Sequence, residues 1–363
     1  MGYIKRGILL ILIICMFPWI TYSTSDGVTS GYYEKVRAVV KQVENLKEDE
    51  LEIQQVEAEL LNGKFESTVV SFKHFLIEGS KSNVALSENM KVFLNIRISG
   101  DEITNVSYGD VVRDGYLKAL FGLFFVLLII FGGFKGFRSF VALVITALCL
   151  IYLFIPMILR GYNFIMSAVV VSSIIVVTSF VIISGFTMKS LVAILGTIGG
   201  TMTSGVLAIF FGNKIHLTGI SDEIVELLVA YSTIPIDYRG LLYSGIIIGA
   251  LGAVMDVSMT ITSVIFEIKR TNPDTRIRSL FFSGLSVGKD IMATMTNTLI
   301  LAYVGTSLPL LLIFVFSDMP VVDIINSQFI ASEIIRSLCG SIGLVLTIPI
   351  TSVLAALILR LKK

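Results

Sequence analysis

One carboxylate stands deep inside a long apolar run: Asp256, preceded by Gly249-Ala-Leu-Gly-Ala-Val-Met255 and followed by Val257-Ser-Met-Thr-Ile261. An acid at mid-helix in a bilayer costs at least about 2.5–3.5 kcal/mol on insertion scales, so it is expected to face protein or water. Asp256, Thr260, Ser263 and Glu267 are spaced i, i+4, i+7 and i+11, which puts them on one helix face. The next apolar run opens with Asp290, Thr294 and Asn297 at i, i+4 and i+7. At about 1.5 Å per residue the two stripes overlap in depth. These seven residues form a candidate ion or proton site, in which Asp256 changes its charge or coordinates a cation with Thr260 and Asn297. The competing reading is a structural acid, protonated or hydrogen-bonded, that ties two helices together. Both stay open at this point.

Other chemistry lacks its parts. A phosphate-cradling loop needs Gly, four residues, then Gly-Lys-Ser/Thr; Gly284, Gly288, Lys289 and Asp290 come one residue short and end in an acid. The two histidines, His74 and His216, lie outside the apolar runs, which removes paired zinc or haem ligands and a base for an intramembrane serine. An aspartyl site needs two carboxylates sharing a proton, and only one lies deep in a run. Cys15, Cys149 and Cys339 all sit among apolar residues, as small hydrophobes do. No catalytic residue, resident metal or cofactor is therefore expected, and the chain is not read as an enzyme. A net charge of +1 offers no basic field for nucleic acid.

The elements that must hold Asp256 follow from composition. At 55% hydrophobic, 15% charged and a mean hydropathy of +0.87, the chain exceeds what a soluble domain carries. The fold class expected is an α-helical polytopic membrane bundle with a small β-rich external domain. Residues 1–24 read as a signal anchor or signal peptide, 25–115 as the external domain and 116–363 as the membrane domain. About seven spans are expected, near 117–134, 139–159, 162–184, 190–211, 240–265, 291–316 and 337–359. Gly196 and Gly200 in one span, and Gly245, Gly249 and Ala253 in the next, recur every four residues and read as helix-packing faces. Pro156, Pro309 and Pro349 fall inside spans.

Lys and Arg in short loops are retained in the cytoplasm. With the amino terminus inside, the cytoplasmic flanks collect Lys5, Arg6, Lys135, Arg138, Lys189, Lys269, Arg270, Arg276, Arg278, Lys289, Arg360, Lys362 and Lys363, thirteen in all. The short outer loops hold only Arg160, Lys214, Arg239 and Arg336. This places 25–115 outside a cell membrane and the carboxy terminus in the cytoplasm. Candidate partners are the lipid bilayer and, within it, a related membrane protein or a second copy of the chain.

In the external block, 36–43, 51–60, 65–72 and 92–98 read as strands, with turns at Asn62-Gly63, Ser99-Gly100 and Gly109-Asp110. Four or five strands suggest a small barrel or sandwich, and a helix through 44–59 competes with the strand reading there. The loop from Gly219 to Tyr238 carries Ile220, Ile224, Leu227, Leu228 and Tyr231 at helical spacing and reads as a surface helix.

Several ordered strings carry a family resemblance: 249–256, Gly-Lys-Asp-Ile-Met-Ala-Thr-Met-Thr-Asn-Thr-Leu-Ile-Leu-Ala-Tyr at 288–303, Ser-Leu-Pro-Leu-Leu at 307–311, and Gly-Ser-Ile-Gly-Leu-Val-Leu-Thr-Ile-Pro-Ile-Thr at 340–351. Over about 116–360 the chain resembles the YibE/F-like family of bacterial multi-span membrane proteins. That resemblance implies class and brings no activity with it. The plan of a first span, an external domain and a Gly-rich helix with an Asp is also similar to the export-assisting SecD/SecF proteins. Here the acidic-basic run at Glu267 to Arg270 comes about one helical turn late for that pattern. Two functional classes remain: an ion- or proton-coupled permease using Asp256, and a non-transporting membrane scaffold or export accessory acting through the external domain.

Overall fold

The computed structural model describes residues 32–48, 51–76, 84–220, 223–231, 235–317 and 319–361. The expected signal anchor at 1–24 lies outside them. The described residues fall into two compact units that divide between Leu127 and Leu128.

The first unit holds five antiparallel strands: β1 Tyr32–Glu48, β2 Leu51–Leu60, β3 Val69–Leu76, β4 Lys91–Ser99 and β5 Glu102–Val111. They are ordered β3-β2-β1-β4-β5. Alternation drives them, since Val36, Ala38 and Val40, Val56, Ala58 and Leu60, and Val92, Leu94, Ile96 and Ile98 all bury on one face. The sheet curls so that its outer strands approach, with the His74 and Tyr108 rings 4.4 Å apart. Gln54, buried beneath, is satisfied by Asn45 Oδ1 at 2.8 Å and by the Leu86 backbone N–H at 2.7 Å.

The competing helix through 44–59 is overturned, because Leu46↔Ile53 and Val43↔Val56 pair in the β1–β2 ladder. The strand expected at 65–72 starts later, at Val69. Gly109-Asp110 is no turn. The ladder passes from Phe93↔Asp110 to Leu94↔Tyr108, so Gly109 is the extra residue of a bulge. A Cβ at Gly109 would lie 3.0 Å from the Phe93 carbonyl oxygen, which is why glycine suits the place.

The helical part comprises α1 Asp114–Cys149, a π-helical turn Leu150–Phe154, α2 Ile155–Leu159, α3 Phe164–Ser184, α4 Met188–Lys214, α5 Glu223–Tyr231, α6 Tyr238–Thr271, α7 Ile277–Thr306, α8 Leu308–Phe316, α9 Val321–Asn326 and α10 Gln328–Leu361. Among the described residues, five helical segments are long and apolar enough to cross a membrane, and the α7–α8 pair, bent by 59°, makes up to six. The expected seven are not reached in this count because 114–159 forms one helical run. That run is sharply broken at Gly133, where φ is 53° and ψ is −137°. In a continuous helix Leu128 and Gly136 would be about 12 Å apart along the axis; here a Cβ at Gly136 would meet the Leu128 carbonyl oxygen at 1.9 Å. The π turn ahead of Pro156 gives the proline ring room where a tight α turn would clash. Pro309 sits in the first turn of α8, past the break, so the span expected at 291–316 is instead a helix from Ile277 and a bent extension.

Neighbours set the packing directions. Ala250 meets Gly340, and Ser258 meets Thr351, so α6 and α10 run parallel. Gly200 faces Thr347 and Gly196 faces Thr351, so α4 runs against α10. Val254, Val257, Ile261, Ile265, Leu280, Leu344 and Ile348 fill the core between α6, α7 and α10.

Candidate functional site

Helix α6 presents Asp256. Asp237 caps its start, Oδ1 accepting the Gly240 backbone N–H at 2.9 Å. Ile246, Ile247, Ala250, Val254, Val257, Ser258 and Ile261 are buried on the inward side. The other side carries Gly245, Gly249, Gly252, Asp256, Thr260 and Glu267, all exposed on this chain. Among the described residues, nothing lies within 4 Å of a Cβ built at Gly245 or Gly252, and the Gly249 position meets only the Tyr303 side chain, its hydroxyl at 2.5 Å. Asp256 therefore stands on an open, glycine-floored face, about 10 Å along the helix from Gly249.

The face is shared but its side chains do not bond to one another. The Asp256 carboxylate makes no hydrogen bond or ion pair among the described residues. Thr260 Oγ1 donates to the Asp256 backbone carbonyl at 2.8 Å, and Ser263 Oγ to the Met259 carbonyl at 2.6 Å. Glu267 is held at two points by Arg270, at 3.1 and 2.6 Å, so it is occupied at the helix end.

On α7, Asp290, Thr294 and Asn297 are exposed, while Leu280, Gly284, Gly288 and Leu299 are buried. Gly284 faces Ile265 and Ser352, and Gly288 faces Ile348. Asp290 and Asn297 are each two residues, about 200° on a helical wheel, from a residue of that inward face. The α7 stripe is thereby turned away from the bundle, Thr294 Oγ1 donates to the Ile291 carbonyl at 2.9 Å, and no hydrogen bond joins it to the α6 stripe. The seven candidates lie on two faces and are not assembled into one cluster. Equal depth does not imply contact.

Interior polarity is hydroxyl. Ser258 Oγ donates to the Ala193 carbonyl at 2.9 Å and lies 3.2 Å from Thr351 Oγ1, linking α4, α6 and α10. A Cβ at Gly196 or Gly200 would fall 2.2 or 1.8 Å from the Thr351 or Thr347 hydroxyl. These two glycines allow backbones to approach, whereas at Gly245, expected in the same role, no described residue lies within 4 Å of a built Cβ. Ala253 is partly buried against the core.

Sequence reasoning missed an acid-base pair in the first turns of α10. Glu333 and Arg336, placed at a loop margin by hydropathy, lie within the helix and pair at 3.4 Å with side chains only 18% and 26% exposed. Tyr303 of α7 lies in the field of both charges. Their i, i+3 spacing and the helix-forming residues ahead of the apolar run were the available signal.

Comparison with curated proteins and with solved structures finds no match. The sequence profile of the YibE/F-like protein family matches residues 120–361, which takes in all of α3 to α10 and the Asp256 face. By that match, across most of its length, the chain belongs to the YibE/F-like family.

Proposed function

We propose that this membrane protein is an ion- or proton-coupled permease of the bacterial cell membrane in which Asp256 carries the proton or cation. One observation carries the reading: the acid stands on the open face of α6 beside Gly249 and Gly252, with its carboxylate unbonded. A carboxylate that tied two helices together would need a partner, and none is present among the described residues. An unbonded acid on a face floored by glycine is available to an ion, and its burial cost is met if that face is wet or occupied. In this reading 114–159 supplies two spans that reverse at Gly133, for seven in all, with 25–115 outside and the carboxy terminus in the cytoplasm.

Reconstituted into vesicles and driven by a pH or sodium jump, the wild type should move charge, and Asp256→Asn should abolish that movement. Asn keeps the volume, so its elution profile and melting temperature should stay within the equivalent of about 1 kcal/mol of the wild type, as for an unbonded site. Equal currents from the two would remove Asp256 from the mechanism.

A second reading, a scaffold or export accessory, is favoured by the apolar exposure of edge strand β3, where Val69 is 56% and Phe75 45% exposed. Deleting residues 30–112 separates the two. A permease keeps charge movement after the deletion, and an accessory loses its partner.

A further inference from the structure

At the end of the bundle where α2 passes into α3 and α5 leads into α6, a cavity of about 680 Å³ opens. That volume lies within the range of about 300–1,000 Å³ common for small-molecule sites. Its shape follows from local sequence. Gly161 takes a positive φ of 82° to reverse the chain after α2, and the Asn163 side chain caps α3 by accepting the Met166 N–H at 3.1 Å. The turn leaves Arg160 and Tyr162 on one wall, and Leu228, Tyr231, Ile236 and Asp237 line the rest.

The chemistry is mixed in a particular way. The Arg160 guanidinium enters no hydrogen bond or ion pair among the described residues. Asp237 commits Oδ1 to the α6 cap and leaves Oδ2 as an acceptor. A guanidinium suits a phosphate and a carboxylate suits a primary ammonium, while tyrosine rings flank a cation favourably. Leu228 and Ile236 provide apolar surface for a chain that continues from the headgroup. The ends of apolar spans, where this cavity lies, are also where tyrosine and arginine meet lipid headgroups.

We propose that this cavity binds a phosphate-plus-primary-ammonium group, as on a phosphoethanolamine lipid, with Arg160 holding the phosphate and Asp237 the ammonium. The site lies away from Asp256 and does not depend on the permease reading.

The test uses the purified full chain and native mass spectrometry with phosphatidylethanolamine, phosphatidylglycerol or soluble phosphoethanolamine added. Phosphatidylethanolamine should be retained about tenfold better than phosphatidylglycerol, the ratio expected for one added charge-assisted contact. Arg160→Gln should lower that retention by about tenfold, on the same arithmetic. Asp237→Asn keeps the helix cap, since Asn caps as well as Asp, and should erase the preference between the two lipids. Soluble phosphoethanolamine binding as tightly as the lipid would assign the site to the free group; retention of the lipid alone would assign it to the membrane form. Equal retention of both lipids by the wild type, or an unchanged preference in folded Asp237→Asn, overturns the proposal.

Discussion

His74 shows how one buried side chain couples the β-sheet unit to pH. It is 2% exposed, its Nε2 lies 3.0 Å from the Val84 carbonyl oxygen, and burial holds its pKa below the ordinary 6.5, only partly offset by that bond. A depressed imidazole pKa means that the unfolded chain binds the proton more readily, so the stability it lends is present above 6.5 and lost as pH falls through the folded value. Titrated by NMR, where the only other histidine is His216, the His74 imidazole should show its midpoint below 6.5. The urea midpoint of the β-sheet signal should fall between pH 7 and 5, and His74→Gln should flatten the trend. A midpoint that does not move in the wild type would count against this account.

Among the elements, the two kinds of glycine face make opposite predictions. Gly343 of α10 sits where a Cβ would lie 1.7 Å from Ser204 Oγ and 2.7 Å from the Gly200 carbonyl oxygen. The hydroxyl can rotate aside and the backbone cannot, so Gly343→Ala should destabilise the bundle by about 1–3 kcal/mol, the usual cost of overpacking. Gly252 on the open side of α6 has no described residue within 4 Å of that position, and alanine is the better helix former by about 1 kcal/mol. Gly252→Ala should therefore melt at or above the wild-type temperature. If charge movement nevertheless falls in this variant, the face is in use. The two melting curves in one detergent check both statements, and a loss of stability in Gly252→Ala would mean that α6 is covered there.

At the scale of the whole molecule, packing gives the relative directions of the helices, and labelling gives their absolute side. Helices α6 and α10 run parallel and α4 runs against them, a relative order that the threading proposed from the Lys and Arg positions shares and that its inverse shares equally. Cysteines introduced at Ser80, Ser221 and Ser327 should react with an impermeant reagent in intact cells, and one at Thr275 should not. Labelling at Thr275 would invert the arrangement, and with it the side from which the Arg160 cavity opens.

Hydropathy and periodicity are local properties, and what they encode is legible: the membrane class, the family strings, strands within 36–43 and 51–60, the helix at 223–231 and the acid at Asp256. The break at Gly133 falls at a gap between two apolar runs, while the bulge at Gly109 carries the same glycine signal as a turn. Tertiary structure alone decided which faces are covered. Asp256 and Asn297 match in depth, yet α7 packs through Gly284 and Gly288 and so carries Asn297 away. A charge that ends an apolar run reads as loop, but packing of α10 encloses Arg336 with Glu333. Rotation of a helix about its axis costs little in the periodicity of its own sequence. It is set by the close fit of its neighbours, here the glycine-to-hydroxyl contacts of α4, α7 and α10, and those exist only once the helices are assembled.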